Sequence, residues 1–233
     1  MDIIHLLILK VLLKIILRLT RDQNVANEMS LYKLIAEYAD ISIATVYRKI
    51  SELITWGYLV RVNKNNYLIT VKGLITLALL CMNGSIKDDE VCQDVVSLLK
   101  REWDLEEFND ENVKAYLKLL ITKVSKDGLD PLQILPNLSF PRSVLLLFPN
   151  DIFHINNKSF MDLLIEDLDN EELVIKAQGI IAKALMALLP ITTLEDGCKA
   201  VTISGKVIAV KCRIKGYTIN PRCPILMKTT INK

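Results

Sequence analysis

The spacing of apolar and polar positions changes period several times along the chain, and each change marks an element. Residues 2–20 are apolar at Ile3, Ile4, Leu6 to Leu9, Val11 to Leu13 and Ile15 to Leu17, interrupted by Lys10, Lys14 and Arg18 at intervals of four. Cations four residues apart share one helical stripe, so the segment predicts a helix that is apolar over about three quarters of its circumference. Such a helix needs cover from two sides, one supplied by the elements that follow and the other by a C-terminal domain or a second subunit. Its longest uncharged run is far short of the roughly 20 residues a membrane span requires. The charge placement and small-residue cleavage site of a secretory signal are also missing, which points to a cytoplasmic protein with no membrane partner.

A polar link over 21–27 leads to Ser30, placed to cap a short helix over 31–39 with Leu31, Leu34, Ile35 and Tyr38 on its inner face. After a turn at Asp40 and Ile41, Ser42 caps a helix to Trp56 whose Val46, Ile50 and Leu53 face the core, with Gly57 at the stop position. Residues 58–62 and 67–71 alternate as two strands around the polar turn 63–66, and Lys72-Gly73 closes that hairpin. Residues 74–82 are apolar all round and predict a buried helix ending near Asn83-Gly84. Further helices are predicted over about 87–103, 110–126, 159–168 and 170–189, the last capped by Asp169 or Asn170 and stopped by Pro190. Between them, 131–149 reads as irregular and proline-punctuated, and 144–148 fits either a buried strand or a short helix. The chain closes on a hairpin, 200–203 and 207–215, with Ile208, Val210, Cys212 and Ile214 on one face and Lys211, Arg213 and Lys215 on the other.

The fold class is therefore mainly α with small β-hairpins (α+β), in three parts: residues 1–83, a mostly helical domain over 84–198, and a basic β-rich segment over 199–233 packed on it. A hydrophobic fraction of 51%, with 24% charged residues, 8 Gly and 7 Pro, fits a folded chain of this kind rather than a disordered one. The net charge of +2 says little, but its distribution says more. Residues 1–80 hold ten basic and six acidic side chains, and residues 199–233 hold eight basic and no acidic ones. Separate surfaces with separate partners follow from such asymmetry. The five cysteines (Cys81, Cys92, Cys198, Cys212, Cys223) form no Cys-x-x-Cys pair and read as small buried residues in a reducing compartment, without a structural metal. Gly-rich phosphate loops and nucleophile elbows are not found, and neither His5 nor His154 has an evident partner, so neither catalysis nor a cofactor is expected.

The order helix, helix, turn, helix, hairpin, helix over residues 2–82 resembles the winged helix-turn-helix superfamily of bacterial and archaeal regulators. Three stretches carry the resemblance: ISIATVYRKISELITWGYLV, NKNN at the hairpin tip, and YLITVKG. It implies double-stranded DNA as partner, with the helix 42–56 in the major groove and the wing 58–71 on the minor groove or backbone. Arg48 would pair with guanine, Thr45 would meet a thymine methyl or a phosphate, and Ser42, Tyr47 and Lys49 would hold the backbone. Tyr47 is equally readable as an aromatic packed under the wing. Arg61, Lys64, Asn65 and Asn66 would reach from the wing. Two-fold proteins match palindromic sites, so a homodimer is expected. The alternative is a winged-helix protein-interaction subunit of a transcription or replication assembly. No small-molecule effector is legible.

Overall fold

The chain folds into ten helices and six strands among the described residues. In chain order they are α1 (Ile3–Arg21), α2 (Leu31–Ala39), α3 (Ile43–Thr55), β1 (Leu59–Arg61), β2 (Tyr67–Ile69), α4 (Val71–Met82), α5 (Asp89–Glu102), α6 (Asp110–Lys126), α7 (Pro131–Ile134), α8 (Phe140–Ser143), α9 (Phe160–Leu168), α10 (Glu171–Leu188), β3 (Ile191–Thr193), β4 (Lys199–Ile203), β5 (Lys206–Cys212) and β6 (Gly216–Thr218). The computed structural model describes residues 2–21, 31–63, 66–148, 158–194, 197–213, 216–224 and 226, with the backbone alone over 15–21. No helix among them is long and apolar enough to cross a membrane. The fold class is mainly α with two small antiparallel sheets, as the pattern predicts.

The contacts divide the chain into two units, Met1–Glu102 and Trp103–Lys233. In the first, α1 is the central element. Ile8, Leu9, Val11, Leu12 and Leu13 are all buried, because α2, α3, β2, α4 and α5 surround that stretch. The second cover that the apolar circumference demanded therefore includes α5 of the same unit, an element placed by the sequence reading in the next domain. For this reason the observed division falls after Glu102 instead of after residue 83.

The α2–α3 corner turns at Asp40, which takes a left-handed φ of 50°, and Ile41 N–H returns to the Ala36 carbonyl at 3.0 Å. Ser42 caps α3 as expected, accepting from Thr45 N–H at 3.1 Å. At the other end Gly57 sits at φ 77° and Tyr58 N–H bonds back to the Leu53 carbonyl at 2.9 Å, a glycine-dependent helix stop. β1 then pairs with β2 in the register Leu59↔Ile69, Val60↔Leu68, Arg61↔Tyr67. Thr70 caps α4 and ties it to the chain leaving α3. Its hydroxyl donates to the Gly57 carbonyl at 2.7 Å, and its N–H donates to the Tyr58 carbonyl at 3.0 Å. Gly73 is forced by this closeness, since a Cβ there would lie 2.6 Å from the Tyr58 oxygen.

Two links fasten α5 to this unit. Cys81, in the last turn of α4, is disulfide-bonded to Cys92 of α5, which corrects the reading of all five cysteines as small buried residues. Spacing concealed the bond because the ten residues between the two are folded into a helix-turn-helix corner. Asp88 supplies the second link. It caps α5 by accepting from Val91 N–H at 3.2 Å and pairs with Lys14 at 2.7 Å and Lys10 at 3.5 Å on α1.

In the second unit α6 and α10 form the main helix pair, with Val113, Tyr116, Leu120, Val174, Ala177 and Ile181 among the buried residues. Tyr116 is fully enclosed and shares a 2.8 Å hydrogen bond with Ser143, while Trp103 stacks on Phe140 with ring centroids 5.4 Å apart. The proline-punctuated segment resolves into α7, α8 and two 3-10 turns, and Val144–Leu147 is helical rather than extended. Asn170, not Asp169, caps α10; Asp169 ends α9 at a left-handed φ of 50°. The C-terminal sheet has the order β3-β4-β5-β6, two strands more than the expected hairpin. Both added strands, β3 and β6, are three residues long, too short for alternation to reveal them. Ala200, Val210, Cys223 and Leu226 form a buried cluster at this sheet. Ser30, the link over 22–27, His154, Ile214 and Lys215 lie outside the described residues.

Candidate nucleic-acid interface

The two ends and the two faces of α3 are built differently. Val46, Ile50 and Leu53 turn inward and are almost wholly buried. On the opposite side Ile43, Tyr47 and Arg48 are exposed, with the Arg48 side chain 68% accessible and its Nε 3.9 Å from Glu52 one turn on. Ser42 and Thr45 share a 2.9 Å hydroxyl contact at the helix start, so part of their hydrogen-bonding capacity is already used within the cap. Tyr47 packs against α2 rather than under the wing, and only in part. One ring face stacks on Tyr32 at 3.8 Å, yet the residue remains 54% exposed. Tyr32 itself is buried, its hydroxyl meets that of Tyr67 on β2, and burial pushes its phenol well above the ordinary range.

Lys49 departs from the expected set. It is only 8% exposed and points to the inner side of α3, where Nζ lies 2.7 Å from Asp2 Oδ2 and 3.1 Å from Glu52 Oε2. A lysine one residue from Arg48 on a 3.6-residue helix lies about 100° round the axis, which is enough to move it from the outer face to the flank facing α1. His5 completes the group, fully buried, with Nδ1 2.7 Å from Asp2 and Nε2 2.7 Å from Glu52 and its ring 4.7 Å from that of Trp56. The hydrogen bond from Lys49 holds Asp2 far below the usual carboxylate range, and Lys49, then His5, lower Glu52 as well. In return Asp2 raises the Lys49 ammonium. The lysine ammonium bridges the two carboxylates. This cluster fixes the angle of α3 against α1 from behind.

His5 was read from sequence as lacking a partner. The signal available was the matched three-residue spacing of Asp2 with His5 and of Lys49 with Glu52, which places each pair on one helical face. What the spacing could not supply was that the two faces meet.

On the hairpin, Arg61 is exposed and its Nε donates to the Asn63 carbonyl at 3.1 Å. The Asn63 side chain accepts from Asn66 N–H at 3.1 Å and so closes the turn. Arg61 and Asn66 thus lie together near the tip, whereas Lys64 and Asn65 lie outside the described residues. No family model matches the chain, and comparison with curated proteins and with solved structures finds no match either.

Proposed function

We propose that residues 2–82 form a winged helix-turn-helix and that the protein binds double-stranded DNA sequence-specifically, as a cytoplasmic transcriptional regulator. The supporting observation is the outer face of α3, where Tyr47 and Arg48 stand exposed beside the capped start at Ser42 and Thr45 while Lys49 is held on the inner flank. A helix so presented fits the major groove, and a bidentate Arg48 contact to guanine contributes about 1–3 kcal/mol of discrimination. Arg61, Lys64, Asn65 and Asn66 are the wing contacts, directed at phosphates or the minor groove. Lys49 is removed from the contact set and becomes a positioning residue.

The test is selection of bound sequences from a random DNA pool, followed by affinity measurements over a range of salt. An enriched site, a steep loss of affinity with salt, and a slope smaller by about one in Lys64→Ala are the expected results. Absence of binding at low salt overturns the reading. The rival reading, a protein-interaction subunit, draws on the exposed apolar side of the hairpin at Val60, Val62 and Leu68. Cytoplasmic placement follows from the DNA reading, and the Cys81–Cys92 bond is a feature that pulls the other way.

A further inference from the structure

An antiparallel hairpin that packs one face on a core ordinarily turns polar residues to water on the other. The β1–β2 hairpin does not. Leu59 and Tyr67 are buried on its inner face, but the outer face pairs Val60 directly with Leu68, exposed by 48% and 51%, and continues into Val62, exposed by 59%. Beside this face lies a groove of about 350 Å³ whose lining includes Val60 and Leu68 and, on the neighbouring helices, Leu13, Leu74 and Leu98. The apolar strip and the groove are thus one continuous surface, of the kind that marks an interface.

The charges at the groove select its occupant. Arg101 and Glu102 also line it, they are consecutive and exposed at the end of α5, and neither takes part in an ion pair among the described residues. The charged residues of the lining are one of each sign, so the lining itself carries no net charge. It is self-complementary. Across a two-fold axis, Arg101 of one copy would face Glu102 of the other and the reverse pair would form at the same time, while the apolar strips would cover each other.

We propose that this surface is the contact between two copies of the chain. The proposal gives a location to the homodimer expected of the DNA-binding reading and rests on that expectation, but its test uses no DNA, so the two fail separately. The apolar face also divides the hairpin by task, leaving the polar side chains of its tip, Arg61 and Asn66 among them, for nucleic acid and its outer side for the second copy.

The experiment is sedimentation equilibrium of the full chain from 1 to 100 µM (~100-fold in concentration, spanning the usual range of weak dimers). The expected result is a dimer that Leu68→Asp weakens at least about tenfold, with far-UV circular dichroism and melting temperature retained because Leu68 is half exposed. Arg101→Glu and Glu102→Arg are each expected to weaken the dimer about fivefold or more, and the double swap to restore it, since the reversed pair is again complementary. A wild-type chain that stays monomeric throughout overturns the proposal, and uptake of an apolar dye by that monomer would then assign the groove to a small ligand. A dimer indifferent to Leu68→Asp overturns it as well.

Discussion

Arg48 and Lys49 are neighbours of like charge with different surroundings, and the difference makes their replacements distinguishable. Arg48 is exposed, its nearest partner Glu52 is 3.9 Å away, and its loss removes little from the folded state. Arg48→Ala should therefore lower DNA affinity by tenfold or more and leave the melting temperature within a degree or two. Lys49→Met should do the reverse in order of effect: it leaves Asp2 and Glu52 facing each other around His5, and thermal melting should fall by several degrees before any binding is measured. The pH dependence has a definite sign. Asp2 and Glu52 are held below their ordinary values, so their contribution is complete above the unfolded carboxylate range near 4 and is lost as pH falls through the folded values. The gap in melting temperature between wild type and Lys49→Met should shrink below about pH 4. A gap that widens in acid would contradict the cluster.

At the scale of elements, the joints are more telling than the helices. Asp88 joins α1 to α5 while capping α5, and Lys14, with Val91 N–H and Lys10, holds its carboxyl at about 2. Asp88→Asn keeps much of the cap but loses the ion pairs, so a loss of about 1 kcal/mol at pH 7 is expected, vanishing between about pH 4 and 2 in acid titrations monitored by circular dichroism. Gly73→Ala should cost more, about 1–3 kcal/mol in denaturant melts, because the atom added meets a backbone carbonyl that cannot turn aside. Glycine at 73 and serine at 42 were legible in the sequence, as were the ends of α2, α3 and α6, because each depends on local spacing and caps. The disulfide, the inward turn of Lys49 and the partners of His5 were not, since each arises where two separately predicted helices meet. β3 and β6 escaped for a different reason: three residues carry no period, and only neighbouring strands define them.

For the molecule as a whole, the disulfide lies within the first unit and the free cysteines Cys198, Cys212 and Cys223 lie in the second. Thiol titration of the denatured, unreduced protein should count three groups, rising to five after reduction. Closing a loop of this length removes entropy from the unfolded chain equivalent to about 3 kcal/mol, so reduction should lower the melting of the first unit and leave that of the second unchanged. Equal shifts in both would mean that the two units melt as one.

The knot of contacts around the Tyr58 carbonyl has a dynamic consequence. Thr70 reaches that oxygen with both its N–H and its hydroxyl, Gly73 abuts it, and Tyr58 N–H is itself bonded back into α3. The base of the hairpin therefore has no hinge, and the end of α3, both strands and the start of α4 must tilt together. Amide hydrogens of Tyr58 and Thr70 should exchange only when the whole unit opens, whereas that of Asn66, bonded to an exposed side chain, should exchange through local fraying. A force applied at the base of the hairpin would then be felt at the start of α4.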